Sequence, residues 1–364
     1  MEFNRGFSGS YAGSDVTFLL RRLELQPVVL EEREQRIQSG RNHYSEMIGP
    51  EDAPTRQRMR LFRESLACNG SRLARDLVTL ASLLAESARG GELTIVSIAR
   101  AGTPIGVLLV RLLRGRFGAE RVRHYSISVI RDRGIDLHAL DLIASRHGAE
   151  SIRFVDGWTG KGTIANEIAT SLAAEPRYND RIDAGLWVPL DISGSARQAA
   201  SQDDYLIPSS LLGGTISGLV SRSVLPRADV GSGQMHGCVE LSHLRRYDLS
   251  RWFAGTMEAL CRTQQPCPVA PGNAAARFAR SQQFIDELMQ EFSIGDRNRV
   301  KIGIGETVRV ALRRLPERIL LRDITSPDAV MIERLSRLRG VPVEHRADMP
   351  HAAVGLIANV VARP

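Results

Sequence analysis

Ile152-Arg153-Phe154-Val155-Asp156-Gly157-Trp158-Thr159-Gly160-Lys161-Gly162-Thr163-Ile164-Ala165-Asn166-Glu167-Ile168 is the stretch on which the fold turns. An apolar run ends at a single carboxylate, Asp156. Gly157, Gly160 and Gly162 then alternate with Thr159, Lys161 and Thr163 before a helical pattern begins. The order predicts a strand, an anion-sized loop and a helix. Glycines let backbone N–H groups approach an anion, the helix N-terminus adds partial positive charge, and the threonines and lysine supply further donors. Of 48 basic side chains only Lys161 and Lys301 are lysines, so a compact point charge stands in this loop where the rest of the chain uses guanidinium. The bland alternative, a tight strand-to-helix connection, stays open.

Two familiar phosphate loops are excluded. A Walker A loop needs glycine five residues before Gly160 and Ser or Thr after Lys161, and Val155 and Gly162 stand there. A dinucleotide loop carries Gly-x-Gly-x-x-Gly directly after its strand with no acid leading it. A second unit of the same kind lies upstream. The β-branched run Leu93 to Ile98 ends at Arg100-Ala101-Gly102-Thr103, and Pro104 is placed for a first helical turn. Between the two, Val122 to Ile130 alternates as a strand does and leads into the charged turn Arg131-Asp132-Arg133-Gly134-Ile135-Asp136.

The flanks are less informative. Glu31 to Gln38 reads as a charged helix, and Thr55 to Ala88 as one long helix or two with an interruption at Asn69-Gly70. Asp248 to Leu260 reads as a helix, and Thr263 to Asn273, with three prolines, as a linker. Beyond it a small α/β unit carries Gly305-Glu306-Thr307 followed by Arg309, Arg313 and Arg314 on a helix. At 364 residues there is room for two domains, and a net charge of +7 favours acidic partners. Cys68, Cys238, Cys261 and Cys267 show neither a Cys-x-x-Cys pair nor zinc spacing, which points to reduced thiols in a cytoplasmic protein. No targeting or membrane segment is visible in the sequence. Cys238 lies near His236 and His243, which opens a thiol-protease reading without a local oxyanion hole or orienting Asn.

The paired loops resemble those of type I phosphoribosyltransferases, and the C-terminal turn and helix resemble the pelota and kink-turn RNA-binding superfamily. The whole chain is similar to bacterial phosphoribosyltransferases fused to a pelota-type domain in tellurite-resistance and stress-response clusters, a family whose N-terminal part is also labelled a StiP-type cysteine protease. The resemblance implies an α/β fold, a Rossmann-type parallel sheet over 1–262, a linker at 263–275 and a pelota-like domain at 276–364. It implies a magnesium-dependent glycosyltransferase that uses 5-phosphoribosyl-1-pyrophosphate (PRPP) to make or cleave an N-glycosidic bond of a nucleoside-like or RNA-linked acceptor. Residues Gly157, Trp158, Thr159, Gly160, Lys161, Gly162 and Thr163 would hold the 5-phosphate, and Arg100, Ala101, Gly102 and Thr103 the pyrophosphate. Asp156, Arg131, Arg133 and Asp136 would be catalytic, with Asp136 or Asp132 organising magnesium. Gly305, Glu306, Thr307, Arg309 and Arg313 would meet RNA, and a homodimer is a further expected partner. One departure stands out: the family's loop opens with two adjacent acids, and here Asp156 is alone. The rival readings are a non-catalytic nucleotide-sensing RNA-binding regulator and a StiP-type cysteine protease.

Overall fold

A computed structural model describes residues 6–88, 91–178, 180–269 and 272–360. Met1 to Arg5, part of the stretch read for a targeting segment, and residues 270–271 of the expected linker lie outside them. The larger unit is built on one sheet in which every ladder is parallel. Its strands are β1 (Thr17–Phe18), β2 (Leu93–Ile98), β3 (Val122–Ile127), β4 (Ile152–Val155), β5 (Leu186–Asp191) and β6 (Gln198–Ser201), in the order β1-β3-β2-β4-β5-β6, with the two residues Trp158–Thr159 pairing as a seventh, short strand alongside the end of β5. β2 and β4 lie side by side, with Thr94 opposite Ile152 and Ser97 opposite Val155. Both are apolar because both faces are covered. Their C-terminal ends therefore deliver Arg100 and Asp156 to the same edge of the sheet.

The helices of this unit are α1 (Leu30–Gln38), α2 (Arg56–Ala88), α3 (Thr103–Gly115), α4 (Leu137–His147), α5 (Thr163–Ala173) and α6 (Ser250–Arg262). α2 runs unbroken through Asn69-Gly70, where the sequence suggests an interruption. Asn69 Nδ2 donates to Leu206 O (3.0 Å) and Asp328 Oδ1 (2.8 Å), and a Cβ on Gly70 would stand 3.1 Å from Leu260. The pair is there for tertiary packing, which outweighs its poor helix propensity. Leu73, Leu77, Leu80 and Leu84 are fully buried, each contributing about 2 kcal/mol by area transfer. Among the described residues, 263–269 and 272–273 lie outside helix and strand.

The C-terminal unit packs α7 (Ala274–Glu291), α8 (Ile304–Arg313) and α9 (Pro327–Leu338) around four strands: β7 (Val300–Ile302), β8 (Pro316–Leu321), β9 (Val343–His345) and β10 (Ala353–Ile357), ordered β7-β10-β8-β9. It is a small mixed α/β sheet, as expected. Its apolar interior is continuous with that of the larger unit: Ile304, Val308, Ala311, Ile319, Leu321 and Ala353 belong to one cluster with Leu73, Leu108 and Val155. Among the described residues no helix is long and apolar enough to cross a membrane.

Candidate functional site

The two glycine-containing loops touch. A Cβ on Gly102 would lie 2.8 Å from Val155 O and 3.0 Å from Asp156 Oδ1, so only glycine lets the Arg100 loop pass this close to the end of β4. The Ala99–Arg100 peptide is cis. Arg100 donates from Nη1 to Val220 O (3.1 Å) and pairs with Glu51, while Thr103 Oγ1 shares a hydrogen bond with Ser126 Oγ at 2.7 Å. Asp156 accepts from the N–H of Gly157 at 2.8 Å, and burial pushes its carboxyl up to about 7.

The loop after Asp156 is held by an acid that the sequence reading passed over. Asp191, at the end of β5, accepts from Thr159 Oγ1 (2.5 Å), from the N–H groups of Gly194 (2.8 Å) and Ser195 (3.1 Å), and from Arg277 of α7 (2.9 Å). The signal was present, since Asp191 terminates a buried apolar strand as Asp156 does. Gly162, at φ +82°, turns the chain into α5, which begins at Thr163.

The loop is covered by the C-terminal unit. Trp158 lies against Gly305, where a Cβ would meet the indole at 3.0 Å, and the Arg309 guanidinium sits 5.9 Å from the Trp158 ring centroid. Lys161 Nζ donates to Arg297 O, and burial with Lys301 and Arg297 nearby pushes it down to about 7. Gly160 faces Glu306 across the seam. Burial raises the Glu306 carboxyl, but Arg309, Lys301 and Lys161 outweigh it and hold the group below the usual carboxylate range. Thr307 is fully buried and its hydroxyl has no partner among the described residues. Arg313 reaches Gly213, with its Nη2 shut off from solvent and unpartnered. Burial beside Arg100 and Arg58 holds its guanidinium well below its usual range. The five residues expected to meet RNA therefore lie on or beside an internal seam.

The charged turn is placed differently. Arg131 Nη1 donates to Asn298 Oδ1 (2.7 Å) and its Nε to Asp132 (2.9 Å), while Arg133 pairs with Glu46 at 3.1 Å. Asp136 caps α4 by accepting from the N–H of Ala139 (3.0 Å), and its other oxygen accepts from the N–H of His236 (2.6 Å). That bond ties Asp136 to the strand Gly237–Cys238, which pairs in parallel with Arg21–Arg22. The His236 ring shares a hydrogen bond between Nδ1 and Ser128 Oγ at 2.8 Å, and burial lowers its pKa, so the ring stands neutral near pH 7. Cys238 is fully buried beside Phe18, Leu20, Val107, Val220 and Ala254, and burial pushes its thiol up to about 12. A groove of about 300 Å³ runs beside the following residues, lined by Pro27, Ile48, Glu51, Asp52, Glu240 and Leu241 among others. His243 lines the same groove, its Nε2 3.0 Å from Glu51 O. Cys68 and Cys267 are exposed, and Cys261 is buried with its Sγ donating to Ala74 O at 3.6 Å.

Comparison with known proteins decides among the readings. Residues 9–258 match the family described as tellurite-like stress resistance cysteine protease StiP, and residues 279–359 match the PELOTA RNA binding domain. Over 369 aligned residues, 98% of this chain and 95% of the relative, the chain is 40% identical to cysteine protease StiP of Acinetobacter baylyi. These matches overturn the expectation of a phosphoribosyltransferase, and with it PRPP as donor and glycosyl transfer as chemistry. The physical reason is that glycines, a capped helix and a lysine dictate a backbone shape, and such a loop can be held by the protein's own acids and amines. It is so held here, by Asp191 and across the seam by the Arg297 carbonyl. The thiol-protease reading, set beside the transferase as a rival, has the better support, and the chain belongs to the StiP family, with a PELOTA-type module following the StiP region.

Proposed function

We propose that the chain is a thiol peptidase of the StiP type whose nucleophile is Cys238 and whose base is His236. The observation that carries this reading is the match to cysteine protease StiP over nearly the whole chain. The StiP match ends at residue 258, which leaves Cys68 and Cys238 as the thiols inside it. Of these, Cys238 has an imidazole two residues away on an extended strand, and that imidazole is anchored by Ser128 and, through its backbone, by Asp136. Cys68 stands exposed on α2 with no hydrogen bond to a histidine among the described residues.

In the chemistry proposed, the Cys238 thiol gives its proton to His236 Nε2 as Sγ bonds to the scissile carbonyl carbon. The proton then passes to the departing amine, and water hydrolyses the thioester. Nε2 can accept only when Nδ1 carries the proton donated to Ser128. The groove beside Val239–Leu241 supplies apolar walls and acids for a peptide. The thiol as placed here is at rest. Alternate residues of a strand are about 6.6 Å apart, beyond hydrogen-bond reach, and burial keeps the sulfur protonated. Attack therefore requires the pairing of Gly237–Cys238 with Arg21–Arg22 to open.

The test is turnover of unfolded casein together with labelling by a peptidyl vinyl sulfone, followed by peptide mapping. Labelling at Cys238 and loss of both signals in Cys238→Ala and His236→Ala, with Cys68→Ala active, is expected. Turnover that survives Cys238→Ala, or none in the unaltered protein, sinks the assignment. A second property is favoured by the PELOTA match: RNA binding by the C-terminal module. Anisotropy of a labelled RNA hairpin titrated with the full chain measures it, and an unchanged signal removes it.

A further inference from the structure

The cationic face of the PELOTA-type module points inward. α8 presents its N-terminus, Arg309 and Arg313, continued by Arg314, over roughly 15 Å of helix length. An N-terminus followed by a row of cations is the ordinary chemistry for tracking a phosphate backbone. The two ends of this row meet carboxylates of the StiP unit, while Arg309 pairs with Glu306 of its own helix. Asp204 accepts from the N–H of Ile304 at 2.8 Å and, with its other oxygen, from the N–H of Ala352 at 3.0 Å. Asp156 lies close enough to Arg309 for the guanidinium to favour its charged form. Glu51 stands among Arg100 and Arg313, which hold its carboxyl below the usual range against the effect of burial. Arg314 makes two contacts with the fully buried Glu34, Nε to Oε1 at 2.7 Å and Nη2 to Oε2 at 2.9 Å. Four acids scattered through the sequence thus lie along one helix.

We propose that the StiP unit is an internal mimic of an RNA backbone: Glu34, Glu51, Asp156 and Asp204 occupy the phosphate-binding face of α8, so that RNA binding and closure of the seam exclude one another. The inference rests on the RNA-binding reading of the module. It makes the closed chain a self-blocked binder whose apparent affinity is reduced by the fraction of molecules that are open. RNA that wins the competition must part Trp158 from Gly305 and Lys161 from Arg297, so the loop after β4 is exposed whenever RNA is held.

The experiment uses the full chain and a fluorescently labelled RNA hairpin. Glu34→Gln/Asp204→Asn removes two of the mimicking charges, and Asp348→Asn/Glu287→Gln removes two exposed acids of the module away from the seam. The first pair is expected to tighten RNA binding about tenfold, the size expected of a charged hydrogen bond released, and the second to change it by less than about twofold. Hydrogen exchange on the unaltered protein guards against a variant that does not fold: added RNA is expected to speed exchange at Trp158–Thr163. Equal tightening by both pairs, or RNA binding with exchange at the seam unchanged, overturns the mimicry while leaving RNA binding in place. No binding by any form overturns both.

Discussion

The loop that follows β4 and the strand Gly237–Cys238 are opposites. The first announces itself, with three glycines, two threonines and one of two lysines in eight residues, yet its side chains are spent on Asp191 and on the C-terminal module. The second is two residues long within a run of short turns, yet it carries the thiol that the proposed function makes the nucleophile. A conspicuous motif reports a demanding backbone path. What reacts there is decided by groups that arrive from elsewhere in the chain.

Substitution can test how deep this contrast runs. The largest effect is expected at the inconspicuous strand, where Cys238→Ala should lower peptide turnover by at least about a thousandfold. It should cost little stability, because alanine fills most of a buried cysteine site, and parallel urea titrations check this. The same loss in Cys68→Ala would move the active thiol to α2. At the conspicuous loop the expected effect falls on stability. Asp191→Ala strips the partner from the Arg277 guanidinium and from three further donors, and should cost about 3–5 kcal/mol in urea denaturation, as for breaking a buried pair. Gly305→Ala drives a methyl to 3.0 Å from the Trp158 ring and should cost about 1–3 kcal/mol by overpacking, read from the same titration.

The remaining effect is a pH dependence. The Asp156 carboxyl is raised from 3.8 to about 7, first by burial. Between about pH 4 and 7 the folded state therefore keeps a proton that the unfolded chain has lost, and stability falls as pH rises through that window. Asp156→Asn removes this slope: its melting temperature should match the unaltered protein near pH 4 and exceed it at pH 8. His124 and His351, lowered to about 4 by burial, give the opposite slope, with stability lost as pH falls from about 6.5 to 4. They do so in both proteins and cancel in the difference.

The centre of the sheet was legible because β2 and β4 are apolar runs, closed by the Arg100 loop and by Asp156, and because each is followed by a helical period. The same reading placed Arg100 and Asp156 at strand ends, where the fold brings them together. The stretch from Gln202 to Tyr247 resisted, since short turns have neither a two-residue nor a 3.6-residue period. Tyr205, whose hydroxyl donates to the buried Asp76 at 2.7 Å, gives no local sign of that partner 129 residues away. Glu34, Glu51 and Asp204 were invisible for the same reason: an isolated acid looks like a solvated one until the surface it faces is known. The reaction was misread because loop geometry was taken for loop chemistry.

The continuous interior of the two units also bears on how the protein is made. Ile304, Val308 and Ala353 complete a core that begins with Leu73 and Leu108, so the StiP unit leaves the ribosome with one wall missing. At about 5–20 residues per second, the fifty or so residues from α8 to β10 take several seconds to appear. During that time the apolar edge around Val155 and Leu211 is open to chaperones. A message cut short before β10 yields a chain with that apolar edge still uncovered, which quality control can recognise and remove.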